Sequence, residues 1–456
     1  MTETELAELS RTLFFPVTFL LYVAAMLAYF FRMAFSLDHV DQRPTRVGQA
    51  VGRVGVVLAV AGLGTHLAAI VTRSIAAGGR VPWGNMYEYS SVMAFGTVLV
   101  AVLFVHARLR RPELVGFIVF GALVIMASAL FLYTPAGPLM PALQTHWLKI
   151  HTFAAMAASS VFTVAFVFTG LYLIRDLAER RVAERQSAAH LGSTVGAAYA
   201  PRTTGRTELE PTAGIGPAGP PASSSGRRDE DEERPEGYVD DGLLEDPEIY
   251  GRALRQVINP VPLAVSAAAI TLAYSLLFRN PVAIVVAPLV VGLGVFAAWW
   301  FLPALPSAAA LDSLAYRTTA FAFPIWTFAV LAGAVWAEQS WGRYWGWDPK
   351  ETGAFLTWVA YAGYLHSRAT RGLRGRGAAG IGVIAFLLLM FTYYAVNLWI
   401  TGLHSYAGSG AAKSNPPYAA IVGALALWGV IRLARRAADR TPATTGASHL
   451  DVSATS

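Results

Sequence analysis

An all-α bundle of helices that crosses a membrane many times is the fold class this 456-residue sequence predicts, on three observations. Hydrophobic residues make up 55% of the chain and charged residues only 14%, too few to give it a polar surface. The apolar residues gather into runs of about twenty, the length that spans a bilayer at roughly 1.5 Å per residue. The arginines cluster in short loops that fall on one side when the runs alternate in direction. The net charge of +6 therefore orients a membrane protein, and a nucleic-acid partner is excluded. With no cysteine, the chain holds no disulfide and offers no thiolate, so ligation must use histidine, carboxylate or methionine.

Five spans are expected at 14–35, 54–72, 88–106, 115–133 and 150–174. Six more are expected at 262–279, 282–303, 315–337, 352–369, 379–401 and 418–434, about eleven in all. Arg43, Arg46 and Arg53, then Arg108, Arg110 and Arg111, then Arg175, Arg180 and Arg181 share one side. Arg368, Arg371, Arg374 and Arg376 join them, with Arg432, Arg435 and Arg436. That side is read as cytoplasmic, which puts the N-terminus outside and the C-terminus inside. The first run follows an acidic stretch, Thr2 to Glu8, so no cleavable signal is expected. The chain thus divides into an N-terminal membrane part (1–182), a linker (183–250), a C-terminal membrane part (251–437) and a tail (438–456). The linker and tail are rich in polar residues, Gly and Pro, and are expected to be disordered in the cytoplasm; a docking role for the acidic linker is the alternative.

The segment 338–352 contains W-G-R-Y-W-G-W-D-P-K-E-T from Trp341 to Thr352. Its aromatics fit either an interfacial belt or a flat shelf for a planar ligand. Alternation of the spans puts this segment outside, together with His151 and His404. Two neutral imidazoles beside an aromatic shelf are what a bis-histidine haem site requires, although each could equally be a solvated interfacial residue. Ala154, Ala155, Ala158 and Ser159 follow His151 at helical spacing, small enough to admit a macrocycle. His366 and His66 lie within spans, where an ionisable group is a candidate by default. His366 could also be a snorkelling or core histidine, and His66 a helix-packing one; His146 competes weakly with His151. Asp348, Pro349 and Glu351 read as an N-cap, a first-position proline and a capping-box acid. Arg343 and Lys350 fit either interfacial anchors or partners for ligand carboxylates.

The tryptophan-rich segment, followed by Tyr364-Leu365-His366, resembles the WWD signature of haem-handling proteins in cytochrome c maturation. The likeness is to the CcsA branch, also called ResC, of System II, often labelled CcsB in actinobacteria. Pro82-Trp83-Gly84-Asn85-Met86-Tyr87-Glu88 is similar to that branch's P-x-x-N-x-Y-E element, and Leu311 to Arg317 matches its approach to the signature. The resemblance implies haem b as the group handled. It implies His151 and His404 as external axial ligands, a shelf of Trp341, Tyr344, Trp345 and Trp347, and His366 as an inner ligand whose counterpart lies on a CcsB/ResB-like membrane subunit. His66 is carried as a weaker ligand. The implied activity is that of the haem-handling subunit of a holocytochrome c synthase, or haem lyase, in the bacterial plasma membrane. It would move haem across the membrane and present it to apocytochrome c, with thiol-disulfide redoxins acting indirectly. Gly353 stands where the family usually has tryptophan, which implies extra room beside the shelf. Two alternatives stay open: a System I haem chaperone or lyase, and a proton-coupled secondary transporter using His66 and His366 as a relay.

Overall fold

Most helix starts are marked by local chemistry. Thr2, Thr45, Asn85 and Ser307 each accept a hydrogen bond from the backbone N–H three residues on, and proline opens five of the helices. The computed structural model describes residues 1–35, 45–137, 143–198, 247–276, 281–370, 372–400 and 402–404, and every regular element among them is helical. In chain order these are α1 (Glu3–Thr12), α2 (Phe19–Ala34), α3 (Arg46–Ala76), α4 (Met86–Val100), α5 (Pro112–Phe131), α6 (His146–Ala198) and α7 (Pro247–Gln256). Then come α8 (Pro260–Leu276), α9 (Pro281–Trp300), α10 (Ala308–Trp341), α11 (Pro349–Thr370), α12 (Arg376–Met390) and α13 (Val396–Trp399). Short π-helical turns join α1 to α2 across Pro16, extend α4 to Arg108, and join α12 to α13.

Among the described residues seven helical stretches are long and apolar enough to cross a membrane, and the bent pair α7–α8 would make eight. The protein is thus a multi-pass helical membrane protein. The first five expected spans coincide with five of the seven, and α10 and the α12–α13 stretch supply the other two. The eleven-span expectation is not reached among these residues, for identifiable reasons. The apolar part of α9, Ile284–Trp300, is short, and α11 is diluted by its Tyr, Thr, Ser and His residues. The run at 418–434, like the tail, lies outside the described residues. The linker expected at 183–250 begins and ends in helix, since α6 continues to Ala198 and α7 starts at Pro247; residues 199–246 lie outside the described set.

Two packed groups share α6. The larger joins α2 to α5 with the second half of α6 and the end of α9, around Tyr22, Tyr29, Ile118 and Phe168. The smaller lies where α6, α10, α11 and α12 meet, around Phe162, Trp326, Tyr361 and Phe386. Phe162 and Tyr361 stack at 3.8 Å there, and Trp326 Nε1 donates to Ala354 O. In lipid such packing and hydrogen bonding must hold helices together, because no water is displaced between them. The stripe Ala154, Ala158 and Ser159 serves this end. Its residues are buried in the bundle, and Ala154 and Ala158 pack in the cluster with Ala322 and Ala329 of α10. Ala155 is the one of the four expected residues that lines the cleft at this end of α6.

The two ends of α10 differ in the chemistry around them. At one end Arg368 forms a two-bond pair with Asp312, and Arg376 reaches Asp176 at 2.7 Å. From Asp312 to Trp336 helix α10 rises roughly 36 Å, more than the hydrocarbon thickness of a bilayer. The other end carries the aromatic segment.

Candidate functional site

The pairing of α6 with α10 brings His151 against the last turns of α10. Its Nδ1 lies 2.7 Å from the carbonyl oxygen of Ala329, so Nδ1 carries the proton and donates. The approach requires Gly333, because a Cβ there would lie 2.8 Å from Nδ1. Helix α10 ends at Gly342 in the left-handed conformation that glycine accepts without strain. The loop that follows is organised by Glu351, which accepts from Gly346 N at 2.8 Å, Asp348 N at 3.1 Å and Arg343 Nη1 at 3.1 Å. Asp348 Oδ1 in turn accepts from Lys350 N, completing the expected capped start of α11.

Asp348 does more than cap. Its Oδ1 accepts from His404 Nδ1 at 2.7 Å, and Oδ2 accepts from Leu403 N at 2.7 Å. This carboxylate therefore ties the turn 402–404 to the aromatic loop, a role that reading Asp348 purely as a helix start had missed. Burial and the Lys350 ammonium push His404 down to about 4, against the opposing bond and charge of Asp348. The imidazole is accordingly neutral near pH 7. Burial alone would raise the Asp348 carboxyl, but hydrogen bonds from His404 and the Leu403 and Lys350 amides hold it below the usual range.

The two histidines meet one cleft of about 1140 Å³, mouth included, with mostly apolar walls. Tyr344, Trp345 and Lys350 line it as well, with Trp83, Tyr89, Trp326 and Tyr393. One indole joins the histidines. Trp336, 2% exposed, stacks on His151 at 6.0 Å and 13° and meets His404 edge-on at 5.4 Å. It was not among the expected site residues, although it stands three positions after Gly333 and five before Trp341. Trp341 supports His404 from its own side at 4.9 Å. Trp347 is 67% exposed, with a left-handed backbone (φ 58°), and packs edge-on to Trp345. Arg343 pairs with Glu351 and lies over Trp341, while Lys350 Nζ donates to Asn397 Oδ1 at 2.8 Å.

The remaining histidines are elsewhere. His66 is fully buried, with Tyr22 O–H at Nδ1 (3.3 Å) and Ser91 Oγ at Nε2 (3.1 Å), so both ring nitrogens serve helix packing. His366 is exposed on α11, and His146 is exposed at the start of α6. Gly353 adds no room beside the shelf. A Cβ there would meet Thr392 Oγ1 at 2.6 Å, so Thr392 fills the space that the missing side chain leaves.

Anchoring both Nδ1 atoms directs a metal to Nε2 of each ring, the arrangement in which a hydrogen-bonded partner fixes tautomer and orientation. Among the described residues no three histidine or carboxylate side chains converge as a metal site. Two imidazoles, each held at Nδ1, thus share one mostly apolar cleft. A family model described as cytochrome C assembly protein matches residues 83–404, from Trp83 to His404. Among curated proteins, the cytochrome c biogenesis protein CcsA of Rippkaea orientalis is 30% identical over 357 residues, covering 75% of this chain and 87% of the relative. CcsA of Synechocystis sp. is 28% identical over 405 residues, 85% of this chain and 95% of the relative.

Proposed function

The chain belongs to the cytochrome c assembly protein family, in its CcsA branch, and acts in cytochrome c maturation; from that premise we propose that its cleft holds haem between His151 and His404 for transfer to an apocytochrome c. One observation carries this reading: two imidazoles, each anchored at Nδ1, line a single mostly apolar cleft with aromatic walls. Haem b is the cargo, its iron ligated by the two Nε2 atoms and its ring laid against Trp345 and Tyr344. The cleft faces the outside of a bacterial plasma membrane, and the arginine-rich end faces the cytoplasm.

The chemistry delivered there is thioether formation. Each apocytochrome thiol adds its sulfur to one carbon of a haem vinyl group and its hydrogen to the other, with no net oxidation. No residue of this chain needs to act as a nucleophile. Its contribution is to orient the macrocycle, exclude water and hold the iron until the apocytochrome's histidine replaces one imidazole. Asp348 keeps His404 in the ligating tautomer and raises its basicity. His366, on the exposed side of α11, ligates haem at an inner site completed by a CcsB/ResB-like subunit. Separate redoxins keep the apocytochrome thiols reduced.

Absorption spectra of the purified full-length protein, with and without its partner, test the assignment. His151→Ala or His404→Ala should each abolish the low-spin six-coordinate spectrum of the outer site. The double variant should lose the haem of the outer site and holocytochrome formation together, while haem at the inner site depends on His366. Haem retained at the outer site of the double variant would refute the ligand assignment.

A further inference from the structure

Among the described residues one buried side-chain polar atom has no hydrogen-bond partner, the indole Nε1 of Trp83. An N–H shut away from water and left unmatched costs about 1–3 kcal/mol, so its persistence asks for a reason. Trp83 is one of the residues that line the cleft shared by His151 and His404. Its backbone is firmly held. Glu88, 1% exposed, accepts from Gly84 N at 2.9 Å, Arg80 Nη1 at 2.8 Å and Arg73 Nε at 2.9 Å. Asn85 then caps α4 by accepting from Glu88 N. Charge-assisted bonds of this kind are strong, so the unmatched N–H does not result from a slack loop. The aromatic neighbour of the indole is Phe153, at 6.2 Å and 58% exposed.

The same cleft holds a matching demand. Lys350 brings an ammonium to its wall, where Nζ donates to the neutral amide oxygen of Asn397. An N–H donor without an acceptor and a cation bonded to a neutral oxygen ask for the same partner, an anionic oxygen from the ligand. We propose that Trp83 Nε1–H donates to a carboxylate of the bound tetrapyrrole, making Trp83 a carboxylate-recognising residue of the cleft, with Lys350 supplying the opposite charge. This inference rests on the reading of the cleft as a haem site. It also sets the macrocycle's orientation, since the carboxylate edge must face the Trp83 loop and the vinyl edge must point away from it.

The test is a binding titration of the full-length protein with iron protoporphyrin IX and with its dimethyl ester, in which both carboxylates are blocked. Trp83→Phe keeps an aromatic ring and deletes the N–H. It should weaken iron protoporphyrin binding about tenfold, as expected for a hydrogen bond to a charged group, and weaken binding of the ester less, since an ester carbonyl accepts only a neutral bond. Trp83→Ala removes the ring as well and should weaken both ligands. A Trp83→Phe variant that binds both ligands as wild type does, or loses affinity for both equally, overturns the proposal. If wild type binds these ligands with a Soret band that depends on His151 and His404, the haem-site reading stands whichever way Trp83 falls. If wild type binds neither, both readings fall together.

Discussion

Replacing Asp348 by asparagine isolates what its carboxylate does for His404. The side chain keeps its size, and an amide oxygen can still accept one of the bonds from His404 Nδ1 and Leu403 N, both 2.7 Å long. It cannot accept both, because the second position becomes an NH₂ donor facing a donor. The variant therefore loses a charge-assisted bond, worth about 1.5–3 kcal/mol, and the fixed tautomer of His404. Removing such an outer partner of a metal-ligating histidine typically lowers metal affinity about 10- to 100-fold. A haem titration of the detergent-purified protein, followed at the Soret band, should show that loss. Added imidazole should restore the six-coordinate spectrum, since it replaces the wayward ligand. His404→Ala measured in parallel sets the upper limit. An Asp348→Asn protein with wild-type haem affinity and an unchanged low-spin spectrum would refute the claim that Asp348 positions His404.

Three further outcomes follow from the same geometry. Gly333→Ala puts a methyl group 2.8 Å from His151 Nδ1 and should displace the imidazole, removing the six-coordinate spectrum; alanine favours the helix by about 1 kcal/mol over glycine, so thermal unfolding should not fall in step. Glu88→Ala strands the buried Arg73 and the largely buried Arg80, and should lower stability by about 3–5 kcal/mol in a denaturation assay, with Glu88→Gln intermediate. His66→Ala removes bonds to Tyr22 and Ser91 and should reduce thermal stability while leaving the haem spectrum of the cleft intact; a lost Soret band there would return His66 to the ligand set.

Much of the architecture was legible because its causes are local. Apolar runs declare themselves by composition, and the capped start of α11 is readable in Asp348-Pro349-Lys350-Glu351, because a cap needs only residues within one turn. The helical ends at Ala198 and Pro247 were not legible, since polar composition alone does not decide whether a helix continues. Alternation of spans was enough to bring His151 and His404 to one end of the bundle, and the structure brings both to one cleft.

What the sequence determined by itself is the membrane-embedded all-helical class and the family to which the aromatic segment belongs. These follow from hydropathy and motif, which survive without coordinates. Only the tertiary structure decided which side chains act on His151 and His404. Trp336 between them, Asp348 behind one and Gly333 beneath the other are set by the way α6 and α10 pack and by where the turn at 402–404 returns. Contacts between residues 56 or 178 positions apart arise from packing, and no local pattern along the chain encodes them.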